Sequence, residues 1–151
     1  LLVGTDNALT EVHLPPNDPL PGRAASAALD DAEQQLREYF AGERTDFDVA
    51  LEPQGTEFQQ RVWAELLKIP FGETRSYLDV AREVGGPNHT RAVGGANGRN
   101  PISIIIPCHR VIAADGTLGG YGGGLPLKKR LLELEKSSNL GPLRPQDRPT
   151  E

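Results

Sequence analysis

The sequence predicts an α+β protein, with a small N-terminal α+β unit over residues 1–52 and a mostly helical domain over 53–136. Three observations carry that class. Phe47, Val49 and Leu51 alternate with polar residues, as in a half-buried strand. Thr56 with Gln59 and Ser76 with Asp79 are capping-box pairs, each opening a helix, and Pro70-Phe71-Gly72 separates the two. Ile102-Ser103-Ile104-Ile105-Ile106 is a short, β-branched run that reads as a buried strand ended by Pro107. The 151 residues suffice for one domain or two small ones.

Taken in order, Leu1–Gly4 and Ala8–Leu14 flank Thr5-Asp6-Asn7, a plausible hairpin turn. Pro15 to Pro21 is a proline-rich loop. From Ser26 onward, Leu29, Ala32, Leu36 and Phe40 share one helical face, and Gly42 stops the helix. Residues 1–52 show no chemistry of their own and read as a scaffold. Pro53-Gln54-Gly55 marks the boundary. Phe58, Val62 and Leu66 predict a helix over 57–68, with Trp63 and Leu67 beside them. The helix capped by Ser76 ends at Gly85-Gly86-Pro87, and a third, short one runs from Asn88 to about Asn97. Helix, turn, helix, turn, short helix is the outline of a helix-turn-helix. The last helix starts near Pro126. Residues 137–151 hold three prolines and no apolar period, so a disordered tail is expected. The chain begins with Leu1 rather than methionine, so residues are expected to be missing upstream, the first strand of the N-terminal unit among them.

Hydrophobic residues make up 37% and charged residues 25%, as in soluble globular proteins. No apolar run is long enough for a membrane and no signal peptide is visible, so a cytoplasmic protein with no membrane partner is expected. A single cysteine excludes an internal disulfide and a cysteine-rich zinc site. No metal or cofactor is expected. The net charge of −5 is uneven: residues 1–53 hold 11 acidic and 3 basic side chains, and the rest hold 10 acidic and 13 basic. The second part can therefore approach phosphates.

Chemistry concentrates in two places. The third helix contains Thr90-Arg91-Ala92-Val93-Gly94-Gly95, and two adjacent glycines cost roughly 1 kcal/mol each in a helix interior. Such a helix lets another surface come close, with Arg91 as its long cation, unless the glycines merely pack against a neighbour. The other place is Cys108-His109. A thiolate is the nucleophile, an imidazole can take its proton, and a carboxylate can fix the imidazole. Leu127, Leu131 and Glu135 share a face of the last helix; unless Glu135 sits at the exposed end of that stripe it needs a partner, and His109 is a candidate. Lys128, Lys129 and Arg130 form a basic cluster beside that face. Six glycines between Gly116 and Gly124 surround Tyr121 in a loop able to cover a pocket. This constellation suits acyl transfer and attack on an alkyl carbon equally.

IPCHRV at 106–111, RAVGGAN at 91–97, FQQRVW at 58–63 and GETRSY at 72–77 closely resemble the O6-alkylguanine-DNA alkyltransferases, densely over 53–136 and loosely before. The resemblance implies an RNase H-like N-terminal domain and a winged-helix or helix-turn-helix motif after it. It implies irreversible, single-turnover transfer of an alkyl group from O6-alkylguanine, and less well from O4-alkylthymine, in double-stranded DNA to Cys108. His109 would be a water-mediated base oriented by Glu135, and Asn100 would tie the helix-turn-helix to the active-site turn. Arg91 would replace the flipped nucleotide, with Thr90, Ala92, Gly94 and Tyr77 at the DNA. Tyr77 would donate to guanine N3, the carbonyls of Cys108 and Val111 would accept from the exocyclic amine, and Tyr121 and the N–H of Gly122 would bind O6. A monomer, able to bind cooperatively on DNA, is expected. The glycine-rich loop, where relatives carry serine or asparagine, implies a pocket open to larger alkyl groups. Some relatives hold zinc through N-terminal cysteines, which this chain lacks. Three rivals stand beside this reading: a damage-binding relative, which Cys108 argues against, a cysteine hydrolase, and a transcription regulator.

Overall fold

The structure, a computed structural model, describes residues 2–4, 8–12, 27–119 and 124–137. The expected turn at 5–7, the Pro15–Pro21 loop, Tyr121 with Gly122, and the tail beyond Ser137 lie outside the described residues. The described chain is a small mixed α/β protein with five α-helices and two two-stranded sheets. No helix among the described residues is long and apolar enough to cross a membrane.

Strands β1 (Leu2–Gly4) and β2 (Leu9–Val12) pair antiparallel, as the hairpin pattern predicts. β2 ties the two halves of the chain together. The Leu9 N–H donates to the Ala50 carbonyl at 2.8 Å, its carbonyl accepts from Glu52 at 2.7 Å, and the Val12 N–H donates to the Pro101 carbonyl at 2.7 Å. One hydrophobic core accordingly runs from Leu9, Val12 and Leu29 through Trp63 and Val93 to Ile102 and Val111. The Phe47–Leu51 segment has the expected alternation of burial, but its bridge to the hairpin is confined to Leu51 opposite Leu9, so it is not a strand.

Helix α1 spans Ala27–Phe40, and Gly42 ends it at φ 79°, a conformation glycine adopts without strain. Its buried stripe is Leu29, Ala32, Gln35 and Tyr39, and the expected Phe40 is instead 50% exposed. The cause is Gln35. Its side-chain amide donates to the Asp48 carbonyl (3.0 Å) and accepts from the Asp48 N–H (2.8 Å), which turns the stripe away from Phe40.

Both expected capping boxes form, opening α2 (Glu57–Leu66) and α3 (Tyr77–Val84). α2 ends two residues short of the expected 68, and a turn follows. A short 3-10 turn at Pro87–His89 leads into α4 (Thr90–Gly98). The Trp63 indole N–H donates to the Ala96 carbonyl at 2.9 Å and locks α2 to α4. Strands β3 (Arg75–Ser76) and β4 (Val111–Ile112) pair in parallel, which sets the start of α3 beside the residues after Cys108. α5 spans Leu125–Ser137 with Pro126 in its first turn.

The expected strand at Ile102–Ile106 does not form. The segment makes isolated bridges, Val12 with Ile102 and Ser103 with Ile106, around a reversal at Ile104 with φ 77°. Apolar, β-branched composition marks burial, and burial is what these residues share: Ile102, Ile104, Ile105 and Ile106 are all buried. The backbone path is set by side-chain hydrogen bonds that hydrophobicity does not encode.

Candidate active site

The backbone around Cys108 is folded by tight turns. The Ile105 N–H donates to the Ser103 carbonyl at 2.9 Å across Ile104, and the Cys108 N–H donates to the Ile106 carbonyl at 2.7 Å across Pro107 (φ −81°, ψ 65°). Both are γ-turn bonds. The first is the strained, positive-φ form, costing about 1–3 kcal/mol at a β-branched residue. Asn100 holds this geometry. Its amide donates to the Ile106 carbonyl at 2.8 Å, and its oxygen accepts from the Ile102 N–H at 2.9 Å. Cys108, His109 and Arg110 then make one 3-10 turn, all three buried.

Glu135 on α5 is the electrostatic centre. It is buried, and its carboxylate meets four residues from distant parts of the chain. Oε2 lies 2.6 Å from His109 Nε2 and accepts from the Tyr39 hydroxyl at 2.6 Å and from Arg110 Nη2 at 3.0 Å. Oε1 accepts from Arg110 Nε at 2.9 Å and from the Gly72 N–H at 3.3 Å. Arg110 also donates to the Ile69 carbonyl at 2.7 Å and lies over the Phe71 ring. Burial pushes the Glu135 carboxyl up, but donation from His109 and Arg110 outweighs it and holds the group at about 2. Glu135 is therefore ionised and can only accept. The His109 proton is assigned to Nε2 on that ground, which leaves the lone pair on Nδ1. Nδ1 is buried and makes no hydrogen bond among the described residues. Burial depresses the His109 pKa, against the pull of Glu135, so the imidazole is neutral at neutral pH.

Burial also pushes the Cys108 thiol up, opposed by Asn100 and by the charge of Lys128. Lys128, expected in a basic cluster beside the apolar face of α5, lies on that buried face itself. It is fully buried, and its ammonium donates to the Val111 carbonyl at 2.7 Å and to the Leu118 carbonyl, 5.9 Å from the Tyr77 ring centroid. The buried stripe of α5 is Lys128, Leu131 and Glu135, with Leu127 only half-buried. Lys128 thus joins β4 to the loop after it. Gly119 of that loop has φ 70°, and a Cβ there would sit 3.0 Å from the Tyr77 hydroxyl oxygen.

The carbonyl of Cys108 accepts from the Val111 N–H and from Asn97 Nδ2 at 3.3 Å. Val111 also has its carbonyl engaged, by Lys128. Asn97 is the last buried residue of α4, so that helix is tied directly to the cysteine. Arg91 and Ala92 on α4 are exposed, Thr90 and Gly94 half-buried, and a Cβ at Gly94, Gly95 or Gly98 would meet nothing within 4 Å. Packing within the chain does not require those glycines.

The structure therefore brings together Cys108, His109, Glu135, Asn100, Tyr77 and Val111. Arg91, Thr90, Ala92 and Gly94 sit on one exposed helix at its edge. Sequence reasoning missed Tyr39, Asn97, Arg110 and Lys128. Lys128 stands three residues before Leu131 and seven before Glu135, on the same helical face, and a lysine on an apolar stripe is the signal that could have found it. Arg110 and Asn97 lie inside quoted motifs, and Tyr39 is one position from the expected Phe40.

Fold and site together define a small mixed α/β protein with a buried cysteine beside an imidazole–carboxylate pair. The family model described as 6-O-methylguanine DNA methyltransferase, DNA binding domain, matches residues 57–137. A methylated-DNA–protein-cysteine methyltransferase of Mycobacterium tuberculosis is 62% identical over 119 residues, covering 79% of this chain and 69% of the relative. That of Mycobacterium leprae is 54% identical over 140 residues, covering 90% and 85%. The crystal structure of Mycobacterium tuberculosis OGT in complex with DNA superimposes with a TM-score of 0.84 at 52% identity, over 94% of this chain and 88% of that one. The chain belongs to the methylated-DNA–protein-cysteine methyltransferase family.

Proposed function

We propose that this chain repairs O6-alkylguanine in double-stranded DNA by moving the alkyl group onto Cys108, once per molecule. The carrying observation is the Glu135-bound His109, whose buried Nδ1 has no hydrogen-bond partner among the described residues, in the same turn as Cys108. His109 takes the thiol proton, through a water, and the thiolate attacks the alkyl carbon. The S–C bond forms as the C–O6 bond breaks, and guanine leaves with the electron pair. Tyr77 donates to N3 of the departing base, and Tyr121 and the Gly122 N–H would serve O6, which limits the charge that develops there. Lys128, whose charge favours the Cys108 thiolate, adds a buried cation.

A base inside the stack hides its O6 substituent, so the nucleotide is flipped out. Arg91 fills the gap, and Thr90, Ala92, Gly94 and Tyr77 meet the strand. The open glycine face of α4 supports close approach of a duplex. The exocyclic amine of the flipped base is read by the carbonyls of Cys108 and Val111, both already accepting in the free protein, so Asn97 at 3.3 Å is the contact that yields. In this reading α2–α4 are the helix-turn-helix of a winged-helix domain over 53–136, residues 1–52 are an RNase H-like domain, and the protein works in the cytoplasm as a monomer that can bind cooperatively. O4-alkylthymine is a poorer substrate.

The test is intact-mass and peptide mass spectrometry after incubation with a duplex carrying one O6-methylguanine. One methyl group on the Cys108 peptide, never more than one per chain, is the expected result. Duplex binding with unmodified Cys108 would sink the proposal.

A further inference from the structure

The N-terminal unit contributes a side chain to the reaction site. Tyr39 comes from α1, 96 residues before Glu135, and is fully buried. Its hydroxyl donates at 2.6 Å to Glu135 Oε2, the oxygen that also faces His109 Nε2. Its ring is clamped edge-on by Phe71 at 6.1 Å and packs on Phe47 at 5.5 Å. Ile104 and Leu131 complete the cluster. A phenol so fixed has one geometry, and so therefore has the oxygen it holds.

From this geometry we infer that Tyr39 is a positioning residue for alkyl transfer. It sets the orientation of Glu135 and the negative charge that His109 feels. The inference rests on the proposed role of His109 as the base. Hydroxyl donation spreads the carboxylate's charge and weakens its hold on the His109 proton, which keeps the imidazole neutral and its Nδ1 able to accept. The other charged groups that act on the imidazole are the Arg110 guanidinium and the Lys128 ammonium, with the Gly72 N–H on the far oxygen of Glu135. Both cations oppose protonation of His109, so Tyr39 works in the same direction as they do. The consequence reaches the whole chain: the seating of α1 against the turn at Phe71 sets the competence of a cysteine in the other half.

The experiment compares the wild-type chain, Tyr39→Phe, Phe47→Leu and a chain with 3-fluorotyrosine placed only at position 39. Each is assayed for single-turnover methyl transfer against pH, for melting temperature, and for His109 titration by imidazole NMR. Tyr39→Phe keeps the ring and leaves Oε2 its other donors, so the fold is kept. The expected result for it is transfer slowed by about ten- to a hundredfold, with the acid limb and the His109 titration both moved to higher pH. Fluorination makes the phenol a stronger donor and moves both to lower pH, a shift of opposite sign in a chain with the packing intact. Phe47→Leu lowers the melting temperature and moves neither.

Unchanged titration of His109 in both Tyr39 chains overturns the inference, as does a rate loss that only tracks melting temperature. Absence of methyl transfer in wild type would sink the proposed function instead, and the His109 titration still decides the role of Tyr39.

Discussion

Helix α4 and the Glu135 cluster both reach the Cys108 turn, and they are built on opposite rules. α4 touches the cysteine carbonyl through Asn97 and packs on the core through Val93 and Ala96, while its outer face carries Arg91, Ala92 and glycines with open space around them. The Glu135 cluster holds His109 and is buried and charged, with both carboxylate oxygens accepting hydrogen bonds. Its partners stand 96, 63, 26 and 25 residues away in sequence. The difference teaches where each half of the site gets its order. α4 presents an outer face whose glycines are not required by packing within the chain. The Glu135 cluster is a tertiary device whose charged members depend on one another, since a buried charge without its partners is costly.

Removing the hub should therefore have the largest effect. Glu135→Ala leaves the Arg110 guanidinium and the Tyr39 hydroxyl buried without their acceptor, and should cost about 3–5 kcal/mol in urea denaturation, with transfer lost. A cost near that of a surface substitution would show that the cluster is not what holds the turn.

Acid should act on the same cluster. His109 and Glu135 both have folded pKa values below their unfolded ones. Groups of that kind stabilise the fold above the unfolded pKa and lose that contribution as pH falls. Stability should decline first below pH 6.5 through His109. It should then drop between 4.5 and about 2 through Glu135, by an amount on the order of 3 kcal/mol. Denaturation curves collected across that range check it, and a flat profile below pH 6.5 would contradict it.

α4 begins two residues later than expected, after a 3-10 turn, but its presence, the capping boxes of α2 and α3, the hairpin, the start of α5, and the pairing of Glu135 with His109 were all legible in the sequence. Each depends on spacing within one short segment or on the need of a buried carboxylate for a partner. The path through Ile102–Ile106 was not legible. Five apolar residues report burial, whereas the reversal at Ile104 is imposed by Asn100 and by the bridge from Val12. Phe40 was misplaced because Gln35, a polar residue, takes a place in the buried stripe. The burial of Lys128 was not legible in its basic cluster because lysine is almost never fully buried, and here two carbonyls accept from its ammonium.

Between the two regions, Lys128→Met should give an intermediate effect. It leaves the Val111 and Leu118 carbonyls without their donor, and should lower stability by about 1–3 kcal/mol and slow transfer, as read by denaturation and single-turnover kinetics. The smallest effect should come from α4, with the opposite sign. Gly95→Ala meets no neighbour in the chain, so the helix should gain roughly 0.5–1 kcal/mol while affinity for duplex DNA falls. Gain in stability with unchanged DNA affinity would remove α4 from the interface.

The central claim is that Glu135 fixes His109 as a neutral base with its proton on Nε2. Nitrogen-15 NMR of the imidazole across pH reads this directly in the wild-type chain. The account predicts the Nε2-protonated tautomer, titrating below the ordinary histidine value of 6.5. A proton on Nδ1, or titration at or above that value, would contradict it.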